Sequence, residues 1–242
     1  SNFKKLIINN KIFLTIVAAV ILSLSYLSLP NIYNQKEISS ELKKNLLNEL
    51  NLEFNFSKNL EYKFLPRPHF ESKNASILLD KGNISDIKKI KKYFSIENLF
   101  SLKSIKLKEI IIEEANFYIN KNNNKFFINI LDNNYLESKI KNLKSNIFFK
   151  NINNEVLFIN RIKNAEYYYD TNELRNILSS ENEIFNLPYS IKLFNNKSEK
   201  KLYTKLNIDL LRLQIENYHS YNNKIKEGNS EFLYNKFKSI AE

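Results

Sequence analysis

The sequence predicts a mainly β protein with one amino-terminal transmembrane helix and an antiparallel sheet. Three observations carry that expectation. Residues 12–29 form an uncharged run that follows Lys4, Lys5 and Lys11 and ends at Pro30. From Leu52 onward, apolar residues recur at every second position. Asparagine-rich turns separate those apolar runs in a chain with only two glycines.

Composition narrows the chemistry. The 242 residues carry 37 Lys+Arg against 26 Asp+Glu, a formal charge of +11, and 43% are hydrophobic, enough apolar surface to fold. With no cysteine, disulfides, thiolate-bound zinc, iron–sulfur clusters and thiol catalysis are excluded. Two histidines are too few for a polyhistidine metal site. Two glycines and four prolines rule out glycine-rich phosphate loops and proline-rich linkers. Lys, Asn, Ile, Phe and Tyr dominate while arginine occurs only at Arg67, Arg161, Arg175 and Arg212, the bias of an AT-rich genome. The chain starts at Ser1 and contains no methionine, so it is read as incomplete, particularly at its carboxyl end.

Residues 12–29 span about 27 Å at ~1.5 Å per residue, close to the ~30 Å hydrocarbon core of a bilayer. A signal peptide has an apolar region of about 7–15 residues ending at a small-residue cleavage site, and SYLSLP offers a poor one. Segment 12–30 is therefore read as an uncleaved anchor. Three lysines and no acid precede it, so residues 1–11 are expected in the cytoplasm and the remainder across the membrane. In a Gram-negative cell that compartment is the periplasm.

Segment 31–51 is read as an amphipathic helix at the membrane-proximal end. Ile38, Leu42, Leu46 and Leu50 fall every four residues with Leu47 beside them, and lysines and glutamates take the other face. Residues 52–242 form the β-rich domain. Leu52, Phe54 and Phe56 alternate with polar residues, as do Leu60, Tyr62 and Phe64; an extended LPRPH connector (65–69) follows, and alternation resumes at Ala75, Ile77 and Leu79. A helical turn is expected at 96–102. A phase slip near Lys108 and Glu109 points to a bulge or corner between Ile105/Leu107 and Ile110/Ile112. Hairpins are expected around 120–124, 151–154 and 195–196, where asparagine can replace glycine in the left-handed conformation. Leu206, Ile208 and Leu210 begin a strand that continues toward Leu213 and Ile215, and residues 172–178 are read as a short helix. In the run Tyr167-Tyr168-Tyr169, the outer two should share one face. A sheet apolar on one side must bury that side. Periodicity leaves a two-sheet sandwich and a single curled trough both open.

The order of these features resembles the amino-terminal region of the AsmA-like family of bacterial envelope proteins. The matching residues are the lysine-flanked span, the helix through Leu50, the strand pair (the family's first hairpin) ending in FLPRPHF (64–70), NASILL (74–79), YFSIENLF (93–100), SIKLKEIII (104–112) and ANFYI (115–119). The likeness covers the first half of the chain. Two departures are Ala115, where the family has proline, and Asn122–Asn124 in place of a glycine-bearing turn. Family members are also usually much longer.

The resemblance implies a curled, taco-like sheet with a few short helices, hung from the inner membrane and related to bridge-type lipid transfer proteins. It implies phospholipid transfer between membranes and a part in outer-membrane biogenesis; no enzymatic activity, catalytic residue, metal or cofactor is expected, because the sequence shows no constellation for one. The expected partners are the cytoplasmic-membrane bilayer through residues 12–29, phospholipids, and an outer-membrane or envelope protein. Burial of an acyl chain gains roughly 0.8 kcal/mol per CH₂, so an apolar trough can conduct lipid without chemistry. The expected groove lining is Phe54, Phe56, Tyr62, Phe64, Ile77, Leu79, Ile105, Leu107, Ile110, Ile112, Phe117, Ile119, Ile128, Leu206 and Ile208. The alternative is a single-span adaptor or scaffold of an envelope complex that moves no lipid. Nucleic acid is not an expected partner, because the lysines are interspersed with glutamates and no binding motif is present; KKIKK (88–92) is expected on an exposed sheet face. His69 and His219 lack sequence-level partners for a catalytic dyad, and Glu113/Glu114 and Glu181/Glu183 read as solvated carboxylates.

Overall fold

The computed structural model describes residues 2–50, 52–57, 60–79, 82–97, 99, 106–130, 138–196, 198–221, 226–235 and 237–241. Helix α1 (Asn2–Ser28) covers the uncharged run, and a 3-10 turn (Leu29–Ile32) with Pro30 near its start ends it. Residues 10–32 are long and apolar enough to cross a membrane; the large apolar side chains from Ile12 to Leu24 stand exposed, while Tyr26, Leu27 and Leu29 pack against the domain that follows. The hydroxyls of Thr15, Ser23 and Ser28 donate back to carbonyls four residues earlier at 2.8–2.9 Å, so this apolar helix carries them satisfied.

Tyrosines clasp the end of α1 to the domain that follows. The Tyr26 hydroxyl donates to the Ile96 carbonyl at 2.8 Å and accepts the Leu99 N–H at 3.2 Å. The Tyr62 hydroxyl donates to the Leu27 carbonyl, and that of Tyr33 to the Leu99 carbonyl. A net bond of this kind contributes about 0.5–1.5 kcal/mol. Joint replacement Tyr26→Phe and Tyr62→Phe is therefore expected to lower stability by roughly 1–3 kcal/mol in urea denaturation of the detergent-solubilised chain. An unchanged midpoint would show that the clasp bears no load.

Helix α2 (Gln35–Leu50) starts at Asn34, whose side-chain oxygen accepts the Lys36 N–H at 2.9 Å. Ile38, Leu42 and Leu46 are buried as the four-residue spacing requires. Leu47 is 46% exposed, since one residue beyond Leu46 turns it away from that stripe.

The strands are β1 (Glu53–Phe56), β2 (Glu61–Lys63), β3 (His69–Leu79), β4 (Gly82–Phe94), β5 (Leu107–Ile119), β6 (Lys139–Lys150), β7 (Val156–Asp170), β8 (Arg175–Ile184), β9 (Leu187–Asn196), β10 (Lys201–Ile208), β11 (Leu213–Tyr221), β12 (Lys226–Tyr234) and β13 (Phe237–Ala241). They form one curled sheet in chain order from β3 to β13, with β1 and β2 both paired to β3. A single sheet, not two stacked ones, resolves the choice that periodicity left open. All neighbours are antiparallel except β5 and β6, which run parallel across the segment containing helix α3 (Asn124–Ile130).

Several local expectations are met. The β6–β7 hairpin turns at 151–155 with Asn154 at φ 64°; β9 and β10 also form a hairpin, but Asn195 and Asn196 end β9, paired with Leu202 and Lys201, and the turn follows them. Asn74, Asn186 and Asn235 likewise take positive φ, while neither glycine does. Lys108 is the extra residue of a bulge, because Phe94 pairs with Leu107 and Tyr93 with Glu109. Tyr167 and Tyr169 join the inner core while Tyr168 lies beneath the Lys139 ammonium on the other face.

Others are corrected. The first two strands do not pair with each other: Phe54 lies opposite Ile77 and Tyr62 opposite Phe70, so β1 and β2 lie one after the other along β3. Residues 120–124 do not turn a hairpin. The Asn120 side-chain oxygen accepts the N–H groups of Asn122 and Asn123, an Asx turn that leads into α3, and adjacent Phe126 and Phe127 pack inward from that helix. The helix expected at 172–178 is a turn followed by β8, because neighbours on both sides, β7 and β9, offer ladders to it. The strand expected to run through Leu210 reverses instead at a 3-10 turn (Asp209–Leu211) and at Arg212, φ 49°, which leaves Leu210 70% exposed. Of the turn expected at 96–102, only Ile96, Glu97 and Leu99 lie among the described residues; Leu99 is buried.

One irregularity crosses five strands. Asn74, Lys88, Glu114, Lys144 and Lys163 occupy corresponding positions in β3 to β7, and each drops out of the ladder there. Asn74, Glu114 and Lys144 have φ between 51° and 57°. On one side of this line the inward residues of β5 are Ile110 and Ile112, on the other Ala115 and Phe117. The extra residue per strand shifts which positions face inward while pairing continues, and such residues bend a sheet.

Candidate functional site

The inner face is defined by residues that lie opposite one another across the ladders. Its β1–β5 portion is covered. Leu46 of α2 joins Phe54, Ile77, Ile90, Ile110 and Ile112 in one buried cluster, with Phe126 and Phe127 of α3 packed against it. Ile38 and Leu42 join Tyr62, Phe70, Phe94 and Leu107 in a second. β7 and β8 still bury Asn160, Ile162, Tyr167, Ser180 and Asn182 on this face; from β9 onward it is progressively bare. Leu206 and Ile215 are half-buried, whereas Phe232 is 37%, Tyr234 58% and Phe237 78% exposed.

Between α3 and the sheet lies a cavity of about 200 Å³, lined by Leu52, Phe54, Ile77, Ile110, Ile112, Phe117, Ile119, Phe126, Phe127, Ile140, Asn142, Ile147 and Ile162. An apolar cavity of about 150 Å³ is large enough to stay dry and take up benzene. A second cavity of about 300 Å³ shares Ile140, Asn142, Ile147 and Ile162 with it and reaches Tyr189 and Ile191. The two lie side by side along the inner face, the first against α3 and the second toward β9.

The structure gathers six of the expected lining residues around the first cavity: Phe54, Ile77, Ile110, Ile112, Phe117 and Ile119. Phe56 and Leu79 pack against the same cluster, and Leu206 and Ile208 lie farther along the inner face by register. Tyr62 and Leu107 are core side chains of the second cluster. Phe64 is a correction: β2 ends at Lys63, the chain bends into Pro66, and Phe64 is 38% exposed outside the sheet. Ile128 belongs to α3 and not to a strand, with its side chain outside the described residues, as is all of Ile105.

Lys92 was not foreseen. KKIKK was expected on an exposed face, and Lys88, Lys89 and Lys91 do pair with Glu113 or Glu114 on the outer one. Lys92 instead points inward, opposite Phe70 and Ile110, and is fully buried. Its ammonium has no hydrogen-bond partner and sits 4.0 Å from the centre of the Phe56 ring. Burial, and then the charge of Lys43, hold its pKa well below the ordinary 10.5.

Polar inner-face residues were also missed. Asn160, Ser180 and Asn182 are each under a tenth exposed and line the second cavity with Tyr189. The Tyr189 hydroxyl donates to the Asn160 side-chain oxygen at 2.9 Å, and the Asn182 amide donates to the Ser180 hydroxyl at 2.8 Å. Burial raises the Tyr189 pKa, so the phenol stays neutral. Their place in phase with Ile162, Leu178 and Ile191 was the available signal.

The outer face carries the charge. Glu109 receives Arg67 at 2.6 Å and Lys141 at 3.0 Å; burial alone would raise its pKa, but these two cations bring it below the usual value. Lys139 and Lys141 reach Glu166, and Lys205 reaches Glu216. Interspersed cross-strand pairs of this kind are worth a few tenths of a kcal/mol to about 1 each, and they disperse the basic charge over the surface. His69 is buried under Tyr93, its Nδ1 2.7 Å from the Arg67 carbonyl, at the end of the connector. Among the described residues no group of three or more His, Asp or Glu is placed to hold a metal ion. No protein-family model matches the chain, and no curated protein matches it.

Proposed function

We propose that this protein is an AsmA-like carrier that shields phospholipid acyl chains during transfer between membranes and serves outer-membrane assembly. In this reading α1 anchors it in the cytoplasmic membrane with its amino end in the cytoplasm, and the sheet lies in the periplasm. The observation that carries the reading is the largely apolar inner face, covered at one end by α2 and α3 and progressively bare from β9 onward. Each CH₂ of an acyl chain laid there is shielded from water for a gain of roughly 0.8 kcal/mol. The tyrosine clasp supports it too, since it fixes the covered end beside the apolar span. Tyrosines are favoured at that depth, where an apolar ring and a polar tip meet the membrane–water boundary.

The test is photo-crosslinking of the full chain in phosphatidylethanolamine-containing membranes, with a benzophenone side chain placed at Ile191 or Leu206 on the inner face and at Lys192 or Lys205 on the outer. Lipid adducts are expected at the inner pair at least fivefold above the outer. Equal labelling, or none, rejects the carrier.

A second reading, an adaptor for another envelope protein, draws on one margin of the sheet. The successive turns there carry Ile152 (82% exposed), Phe185 (79%), Leu210 (70%) and Phe237 (78%). Exposed apolar side chains recurring along one rim suit docking to protein. Crosslinkers at Phe185 and Leu210 that capture protein, with no lipid at Ile191, would favour it.

A further inference from the structure

We propose that the cavity along β6 to β9 seats the glycerol–ester linkage of a phospholipid, with its tail reaching the adjoining cavity beneath α3. The inference rests on the carrier reading above and adds what sets the position of the cargo along the trough.

A trough that only shielded hydrocarbon would need no polar groups inside, and burying one without a partner costs free energy. Yet Asn160, Ser180, Asn182 and Tyr189 stand together in the second cavity, flanked by Ile162, Leu178 and Ile191. An amide has two donors and an acceptor with two lone pairs, so Asn160 and Asn182 have capacity beyond the bonds to Tyr189 and Ser180. The group is uncharged. Glu166, the one carboxylate bordering the cavity, is engaged by Lys139 at 2.6 Å and Lys141 at 3.4 Å. Neutral donors and acceptors suit ester carbonyls; a bare phosphate would call for a cation. The first cavity is walled by hydrocarbon apart from Asn142, and it shares four lining residues with the second. A molecule with an ester at one point and a hydrocarbon tail beyond it therefore matches the order of linings.

The test uses the full chain in membranes and two phosphatidylethanolamine probes, with a photoreactive diazirine either at the tail end or beside the ester. In the unaltered protein the tail-end probe is expected to label the peptide containing Phe117, Phe126 and Phe127 at least fivefold over β7–β9. The ester-side probe should show the reverse preference. In the double variant Asn160→Leu and Asn182→Leu the preference is expected to fall below twofold for both probes, with total labelling retained. Tyr189→Phe, which removes one hydroxyl only, should give an intermediate loss and covers the case in which the double variant does not fold. Inner-face labelling without segregation, or segregation that survives the substitutions, would overturn the seat and leave the carrier standing. Absence of inner-face labelling by either probe in the unaltered protein would remove both.

Discussion

Lys92→Met is expected to stabilise the protein by about 1–4 kcal/mol at neutral pH, the range seen when buried charges give way to apolar residues of similar size. Two effects oppose each other at this site. The ammonium gains from the Phe56 ring 4.0 Å away, which is worth up to about 2 kcal/mol when desolvated. Against this stands the removal of a cation from water with no hydrogen-bond partner and with a second amine, Lys43, nearby, a penalty of several kcal/mol. The penalty wins. The sign with pH follows from the lowered folded-state pKa. Below that value both states are protonated and the penalty is present in full. Between it and the unfolded value near 10.4, the unfolded chain binds a proton that the folded chain lacks, so stability rises with pH across that window. Urea midpoints of the native chain and the variant, compared from pH 6 to 10, should converge as pH rises. A variant less stable than the parent, or a difference that does not change with pH, would refute this account of Lys92.

Phe70→Ala and Phe232→Ala should differ sharply although both rings stand on the inner face of the same sheet. Phe70 is 1% exposed and its ring centre lies 5.6 Å from that of Tyr62 and 5.1 Å from that of Phe94, beneath α2. Its loss removes transfer free energy and leaves a cavity that the surrounding helix and strands cannot fill, at a cost of about 3–5 kcal/mol. Phe232 is 37% exposed in the bare part of the face, where water already reaches it, and its removal should cost under about 1 kcal/mol. Chemical denaturation of the two variants measures the contrast. Similar losses would mean that the far half of the trough is packed in solution.

The parts of this architecture legible from sequence were those with an undisturbed period. The uncharged run became α1, the four-residue stripe of Ile38, Leu42 and Leu46 became the buried side of α2, and the slip at Lys108 became a bulge. Where an extra residue interrupts a strand, alternation fails as a guide. In β4 the inward residues Ile87 and Ile90 are three apart instead of two, a spacing that reads as readily for a helix, because Lys88 lies between them on the line of irregular positions. Lys92 was hidden for the same reason: counted with its basic neighbours it looks solvated, counted from Ile90 it faces inward. The pairing of β1 and β2 with β3, and the parallel run of β5 and β6, depend on contacts remote in sequence that no local pattern encodes. Asn160 and Asn182 were passed over because polarity was taken as a mark of the outside.

The extra residues at Asn74, Lys88, Glu114, Lys144 and Lys163 act as a compensated frameshift in space. Deleting one alone would turn half of its strand inside out against neighbours that still carry theirs, driving lysines and glutamates into the oil and isoleucines into water. The set ends between β7 and β8, where one bulge at Lys163 absorbs the difference; losing a residue within the five would put a second such mismatch between strands that now run in step.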